Sequence, residues 1–239
     1  MAVALKAWLV DLLLPPRCVS CGGPSHTLCP ACRRSLRPIR RPLCARCGAP
    51  TAWPVERCRE CAGRRLAFVA ARSAIEYAGP ARALVRAWKE RGLRHLSACA
   101  ADLVVQHVER PAVDVITYIP ADAIRQLHRG THPAEALARE LAARWAVDVA
   151  SSLDRSHATE RQAALPYRRR RANVRGAFAA TRALGVGEWS DARVLLVDDV
   201  YTTGSTADAA AAALRRHGAG TVQDGIDVVR DRTVVRGDG

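Results

Sequence analysis

The sequence predicts an α/β protein: a parallel sheet flanked by helices, preceded by a small cysteine-held module. Three observations carry that expectation. Val194-Leu195-Leu196-Val197 is a four-residue apolar run ending at Asp198-Asp199, the pattern of a strand buried on both faces. Ala207 to His217 is strongly helix-forming and is closed by Gly218, so the strand feeds a helix. Eight of the nine cysteines fall into four C-x-x-C pairs near the amino end.

The elements follow in order. Leu5, Trp8, Leu9, Leu12 and Leu13 recur at helical spacing and stop at Pro15-Pro16, which predicts an amphipathic helix over 1–16. Asp11 interrupts the apolar run, and no small-residue cleavage site follows, against a signal peptide. The run is also too short to span a bilayer. Residues 17–65 hold Cys18/Cys21, Cys29/Cys32, Cys44/Cys47 and Cys58/Cys61. Two C-x-x-C pairs complete a closed four-cysteine site, the structural zinc arrangement, so eight ligands predict two Zn2+ ions. Pairing in chain order, 18 to 32 and 44 to 61, is the expected arrangement; spacing alone also admits a cross-braced one. With few apolar residues, this segment draws its folding energy from metal. That usage, unlike a disulfide framework, places the chain in a reducing cytoplasm. Cys99 is read as a small buried residue on a helix.

From Leu66 the texture changes, and 66–239 is read as the α/β domain. Leu66 to Tyr77 has strand or hairpin character, broken at Gly79-Pro80. Helices are expected over 81–90 and 93–109; Lys89 is either a solvated helix-end charge or a site lysine. Val113 to Pro120 is read as the first core strand. A loop with Arg125, His128 and Arg129 and a helix from Pro133 to Trp145 follow. Basic residues after a parallel strand lie at the sheet's carboxyl edge, where α/β proteins bind ligands, and can neutralise a pyrophosphate. Val147 to Leu153 is expected as another strand. The long polar stretch from Arg155 to Asn173 suits a lid. Thr221 to Val229 is a late strand, and Arg230 to Gly239 reads as a frayed tail.

The formal charge of +14 comes from 37 basic and 23 acidic residues, and Lys6 and Lys89 are the only lysines. Such a surface favours anionic partners without choosing between nucleic acid and a phosphorylated metabolite.

The chemistry concentrates between Asp198 and Thr206. Free N–H groups and the positive end of the following helix favour a phosphate. Gly204 lets backbone approach the anion, and Thr202, Thr203, Ser205 and Thr206 offer hydroxyls. Asp198 and Asp199 repel each other unless ribose hydroxyls or a cation such as Mg2+ sit against them. No G-x-x-x-x-G-K-[ST] is present, and Gly185-Val186-Gly187 precedes the strand, so neither a P-loop nor a dinucleotide fingerprint fits.

Val194 to Thr206 resembles the phosphoribosyl pyrophosphate (PRPP) motif of type I phosphoribosyltransferases. Over nearly its full length the chain resembles the ComF family of competence-type, phosphoribosyltransferase-like proteins. That likeness rests on the four C-x-x-C pairs, Tyr77-Ala78-Gly79, Lys89-Glu90-Arg91-Gly92, Arg129-Gly130, Thr159, Gln162, Arg170, Asn173, Val174, Phe178 and the PRPP motif. The family commonly continues Arg-Gly as Phe-Asn-Gln; here Thr131-His132-Pro133 stands instead. The resemblance implies a type I phosphoribosyltransferase fold, PRPP with Mg2+, an acceptor of unstated identity, and a link to DNA uptake. It implies a site of Asp198, Asp199, Val200, Tyr201, Thr202, Thr203, Gly204, Ser205, Thr206 and Arg129. The lid candidates are Arg155, Thr159, Gln162, Arg170 and Asn173. The rival expectation is a PRPP-sensing or partner-docking module that engages single-stranded DNA or competence proteins. The aromatic content of 5% offers few stacking platforms for it.

Overall fold

A computed structural model describes residues 15–121, 132–155, 176–181 and 192–231. The expected N-terminal helix, Arg129, and Thr159, Gln162, Arg170 and Asn173 of the expected lid lie outside these residues. The described elements are α1 (Pro30–Arg34), β1 (Arg72–Glu76), α2 (Gly79–Arg91), α3 (Leu96–His107), β2 (Val115–Tyr118), α4 (Pro133–Trp145), β3 (Asp148–Val149), β4 (Leu153–Arg155), β5 (Phe178–Ala180), β6 (Arg193–Tyr201), α5 (Ser205–Arg216) and β7 (Thr221–Arg230). Five strands form one parallel sheet in the order β1-β7-β6-β2-β3, so β6 is central.

The apolar run of β6 explains the layers. Leu195 and Val197 share a core with α2, α3 and α4, while Val194 and Leu196 share another with α5. Alternate side chains point to opposite faces of a strand, and both faces are covered. The cysteine module divides the same way. Cys18 belongs to the first core, and Cys44, Cys47 and Cys61 belong to the second. The linker between the two halves runs along the outer edge of β1: Ile39 N–H donates to Ala74 O and Glu76 N–H to Arg37 O. That pairing blunts a sheet edge otherwise open to other chains.

Four expectations are corrected. The strand within 113–120, expected as the first of the core, is the second in chain order, because Leu66 to Tyr77 takes its strand alternative: β1 begins at Arg72 and pairs with β7. Val147 to Leu153 is not one strand. It divides into β3, in the main sheet, and β4, which pairs antiparallel with β5 in a separate ladder. The helix after the acidic pair begins at Ser205, two residues before the expected Ala207, because Gly204 in the left-handed region (φ 71°) caps it. Arg230 is no frayed residue: it ends β7 and is 2% exposed. Cys99 is buried on α3, as expected of a small helix residue.

Candidate functional site

Each half of the module gathers four sulfurs. Those of Cys18, Cys21, Cys29 and Cys32 lie within 4.8 Å of one another, as do those of Cys44, Cys47, Cys58 and Cys61. The pairing therefore runs in chain order. Backbone N–H groups point at the sulfurs: Cys29 N–H donates to Cys18 Sγ at 3.3 Å and Cys58 N–H to Cys44 Sγ at 3.2 Å. Burial pushes the Cys18 and Cys44 thiols up. Backbone N–H groups outweigh it and bring them down to about 6 and about 7. At Cys32 the Ser20 hydroxyl favours the thiolate, but burial and the neighbouring thiols push it up to about 12. Four sulfurs so placed crowd negative charge that a cation relieves. All-sulfur tetrahedral donor sets suit zinc, so the residues present fit two structural Zn2+ ions.

At the carboxyl end of β6 the structure brings together a second set. Asp198 is half-buried and Asp199 is buried. Asp199 N–H donates to Asp198 Oδ1 at 2.8 Å. Lys89, near the end of α2, donates from Nζ to Asp199 Oδ1 at 2.7 Å. Lys89 thus stands in the candidate site beside Asp199 and is not a free helix-end charge. Trp88, 1% exposed, anchors the turn of α2 that presents it. Burial and the Asp199 charge push the Asp198 carboxyl up to about 7, against the opposing pull of Lys89. Burial disfavours the Lys89 ammonium, but Asp199 and Asp198 outweigh that and raise its pKa.

The loop after β6 is shaped by its own residues. A Cβ on Gly204 would overlap the Tyr201 hydroxyl and stand 2.8 Å from Tyr201 Cζ. Glycine is needed there both for its φ and for this approach. The Thr203 and Ser205 side-chain oxygens are 2.8 Å apart, and Ser205 N–H donates to Thr203 Oγ1. Both residues are buried, so these hydroxyls hold the loop's form. Thr202, Thr206 and Val200 are half-buried. The Asp208 carboxylate accepts Ala67 N–H at 2.7 Å.

Neighbouring edges complete the region. β2 is in register with β6, with Tyr118 opposite Val197, so the chain beyond β2 leaves beside Asp198. His132 caps α4, its Nδ1 accepting Glu135 N–H at 3.1 Å. Burial lowers its pKa, and a neutral ring is what an accepting nitrogen requires. Arg155 lies in β4 with its guanidinium 5.4 Å from the centroid of the Phe178 ring. Two residues missed by sequence reasoning reach the loop from behind. Arg64 Nη1 donates to Thr203 O at 2.9 Å, and the Arg230 guanidinium stacks 4.5 Å over the Tyr201 ring. Neither arginine sits in a motif or a periodic pattern, so no local signal marks them.

The geometry defines a class: a parallel α/β protein with an acidic pair and an anion-receptive loop at the carboxyl edge, fronted by two clusters of four cysteines each. The profile of the family described as "Double zinc ribbon domain" matches residues 9–62. The chain is 31% identical over 226 residues to "DNA utilization protein YhgH" of Salmonella typhi, covering 89% of this chain and 96% of the relative. It is 28% identical over 221 residues to "Competence protein F" of Haemophilus influenzae, covering 87% and 94%. The chain belongs to this ComF/YhgH family. Among solved structures it is similar to a glutamine PRPP amidotransferase of B. subtilis, with 22% identity, TM-score 0.38, and coverage of 56% of this chain and 26% of that one. It is also similar to a UMP synthase of Leishmania donovani, with 19% identity, TM-score 0.33, and coverage of 63% and 25%.

Proposed function

We propose that the chain binds PRPP over the carboxyl edge of the sheet and transfers its phosphoribosyl group to an acceptor. One observation carries the reading: the Asp198-Asp199 pair, faced by Lys89 at 2.7 Å, stands directly before the loop that opens α5. A phosphosugar offers what each part lacks. Its 5-phosphate suits residues Thr202 to Thr206, where helix N–H groups await an anion. Its ribose hydroxyls suit the two carboxylates, with Val200 and Tyr201 holding the turn between them. Arg129 is assigned to the pyrophosphate. Arg155, Thr159, Gln162, Arg170 and Asn173 are assigned to a lid that excludes water.

In the proposed transfer the C1–O bond of the ribose breaks and its electron pair leaves with pyrophosphate. The positive charge on the ring resembles that of glycoside hydrolysis, and the acceptor's lone pair then forms the new bond to C1. The acidic pair lies where that charge develops. Mg2+ held with the pyrophosphate would shield the leaving group's charge. Burial first, then the Asp199 charge, raise the Asp198 pKa despite Lys89, and a cation at the pair would favour its charged form.

Titration calorimetry of PRPP with Mg2+ into the zinc-loaded protein tests the reading. The wild type binds; Asp198→Asn with Asp199→Asn, still folded, does not. Undiminished binding by the double variant removes the site assignment.

The relatives' names, "DNA utilization protein" and "Competence protein F", favour a role in handling DNA as the setting for this chemistry. Trp53, 69% exposed on the cysteine module of a strongly basic chain, is the stacking candidate. If this face engages single strands, Trp53→Ala weakens binding by about 1–3 kcal/mol, and wild-type affinity falls steeply with salt. Equal affinity of variant and wild type excludes Trp53 as the platform.

A further inference from the structure

The second cysteine cluster touches the phosphate loop through residues that neither role requires. Arg230 is 2% exposed, and its guanidinium is bonded through both Nη atoms. Nη1 donates to Cys47 O at 2.6 Å, and Nη2 donates to Glu60 Oε2 at 2.8 Å and to Cys47 Sγ at 3.6 Å. Its face covers the Tyr201 ring at 4.5 Å. Tyr201 in turn fills the space beside Gly204. One buried cation therefore spans a cluster sulfur and the residue against which the loop turns.

A second tie runs in parallel. Arg64, three residues beyond Cys61 and 8% exposed, donates from Nη1 to Thr203 O at 2.9 Å. Its Nε and Nη2 are buried without a hydrogen-bond partner among the described residues. Arg57, beside Cys58, donates to Arg64 O at 3.0 Å. A buried guanidinium costs several kcal/mol unless its surroundings supply negative charge. Here Glu60 supplies that charge for Arg230, joined by Cys47 where it ligates metal, and the Arg64 guanidinium stands against the loop proposed to receive an anion. The first cluster offers a contrast, since Cys18 belongs to the core on the opposite face of the sheet.

We infer that Arg230 and Arg64 are positioning residues that make the second cluster a working part of the phosphosugar site. Metal held by Cys44, Cys47, Cys58 and Cys61 and an anion held by residues 201–206 stabilise each other. Metal at the first cluster has no such coupling. Loss of metal or thiol oxidation at the second cluster then lowers phosphosugar affinity without any change in the residues that touch the ligand. The ligand's identity rests on the reading above; the coupling of cluster to loop does not.

Hydrogen-exchange mass spectrometry of the full zinc-loaded chain reads the coupling without ligand. Cys58→Ser and Arg230→Lys should each speed exchange across 200–208 by about tenfold, the usual size of a coupling between sites. The same variants should leave 133–145 protected, and Cys21→Ser should leave 200–208 as in wild type. If Cys58→Ser opens the whole domain, Arg230→Lys with Arg64→Lys, which keep every thiol, decide the matter. Loop exchange unchanged in those two, or equally fast in Cys21→Ser, overturns the proposal. Calorimetry separates the two ideas. Loss of PRPP affinity by about tenfold in Arg230→Lys, beside a wild type that binds, extends the coupling to the ligand. A wild type that binds no PRPP, with loop exchange still tied to Cys58, sinks the proposed ligand and leaves the coupling standing.

Discussion

Asp198 is the residue whose environment says most about the site. Its carboxyl is pushed up to about 7 by burial and by Asp199. The folded state thus holds a proton that the unfolded chain, with an ordinary carboxylate near 3.8, releases. Stability rises with pH only where the unfolded state binds more protons. Here the folded state binds more, so stability falls as pH rises from about 4 to about 7. Asp198→Asn keeps the oxygen that accepts Asp199 N–H and removes the charge. At pH 8 the variant should melt above wild type by about 2–4 °C, the effect of about 1 kcal/mol in a chain of this size. At pH 4 the two should coincide. A variant that melts lower at pH 8 refutes the repulsion. Ligand binding runs the other way, since a cation or ribose hydroxyls at the pair favour the deprotonated form, and PRPP affinity should rise through pH 7. The residue scale is also where the sequence is least complete as a guide. The acidic pair and hydroxyl loop are legible because they are contiguous. Lys89 keeps two readings in sequence, because its partner lies 110 positions away.

At the scale of elements, strand, loop and helix behave as one unit. β6 delivers the carboxylates, Gly204 turns the chain, and α5 presents its free N–H groups. Gly204→Ala should cost about 1–2 kcal/mol for the left-handed backbone alone. The Cβ meets Tyr201 as well, so the loop must shift. The expected result is loss of PRPP binding in calorimetry with the sheet retained in circular dichroism. Full affinity in this variant disproves the tight turn. The helices at 79–91, 96–107 and 133–145 follow the expected spans closely because amphipathic periodicity over a dozen residues is a strong local signal. The stretch 147–153 departs from its expected form for the complementary reason. Short apolar runs do not say which strand they pair with, and here the chain changes sheets within it.

At the scale of the molecule, the cysteine module is not an appendage. Its two clusters sit in the two cores on opposite faces of the sheet. Metal removal by a strong chelator should therefore lower the melting temperature of the whole chain by about 10 °C or more, since structural zinc contributes folding energy directly. Limited proteolysis should then cut within 17–65 first. A chelated protein that melts like the loaded one makes the ribbons independent of the core. No helix among the described residues is long and apolar enough to cross a membrane.

The sequence by itself determined the parallel α/β class, the eight paired cysteines, the acidic pair and the hydroxyl-rich loop after it. All of these are local: a run, a spacing or a motif within a few turns of chain. Tertiary structure decided the partners. It paired Lys89 with Asp199, set Arg64 behind Thr203, and buried Arg230 between Cys47 and Tyr201. Arg230 shows why. Periodicity cannot tell a terminal arginine in solvent from one that closes the central site. That difference comes from a carboxylate, a sulfur and a ring that lie far away along the chain, which only the folded sheet brings into contact with it.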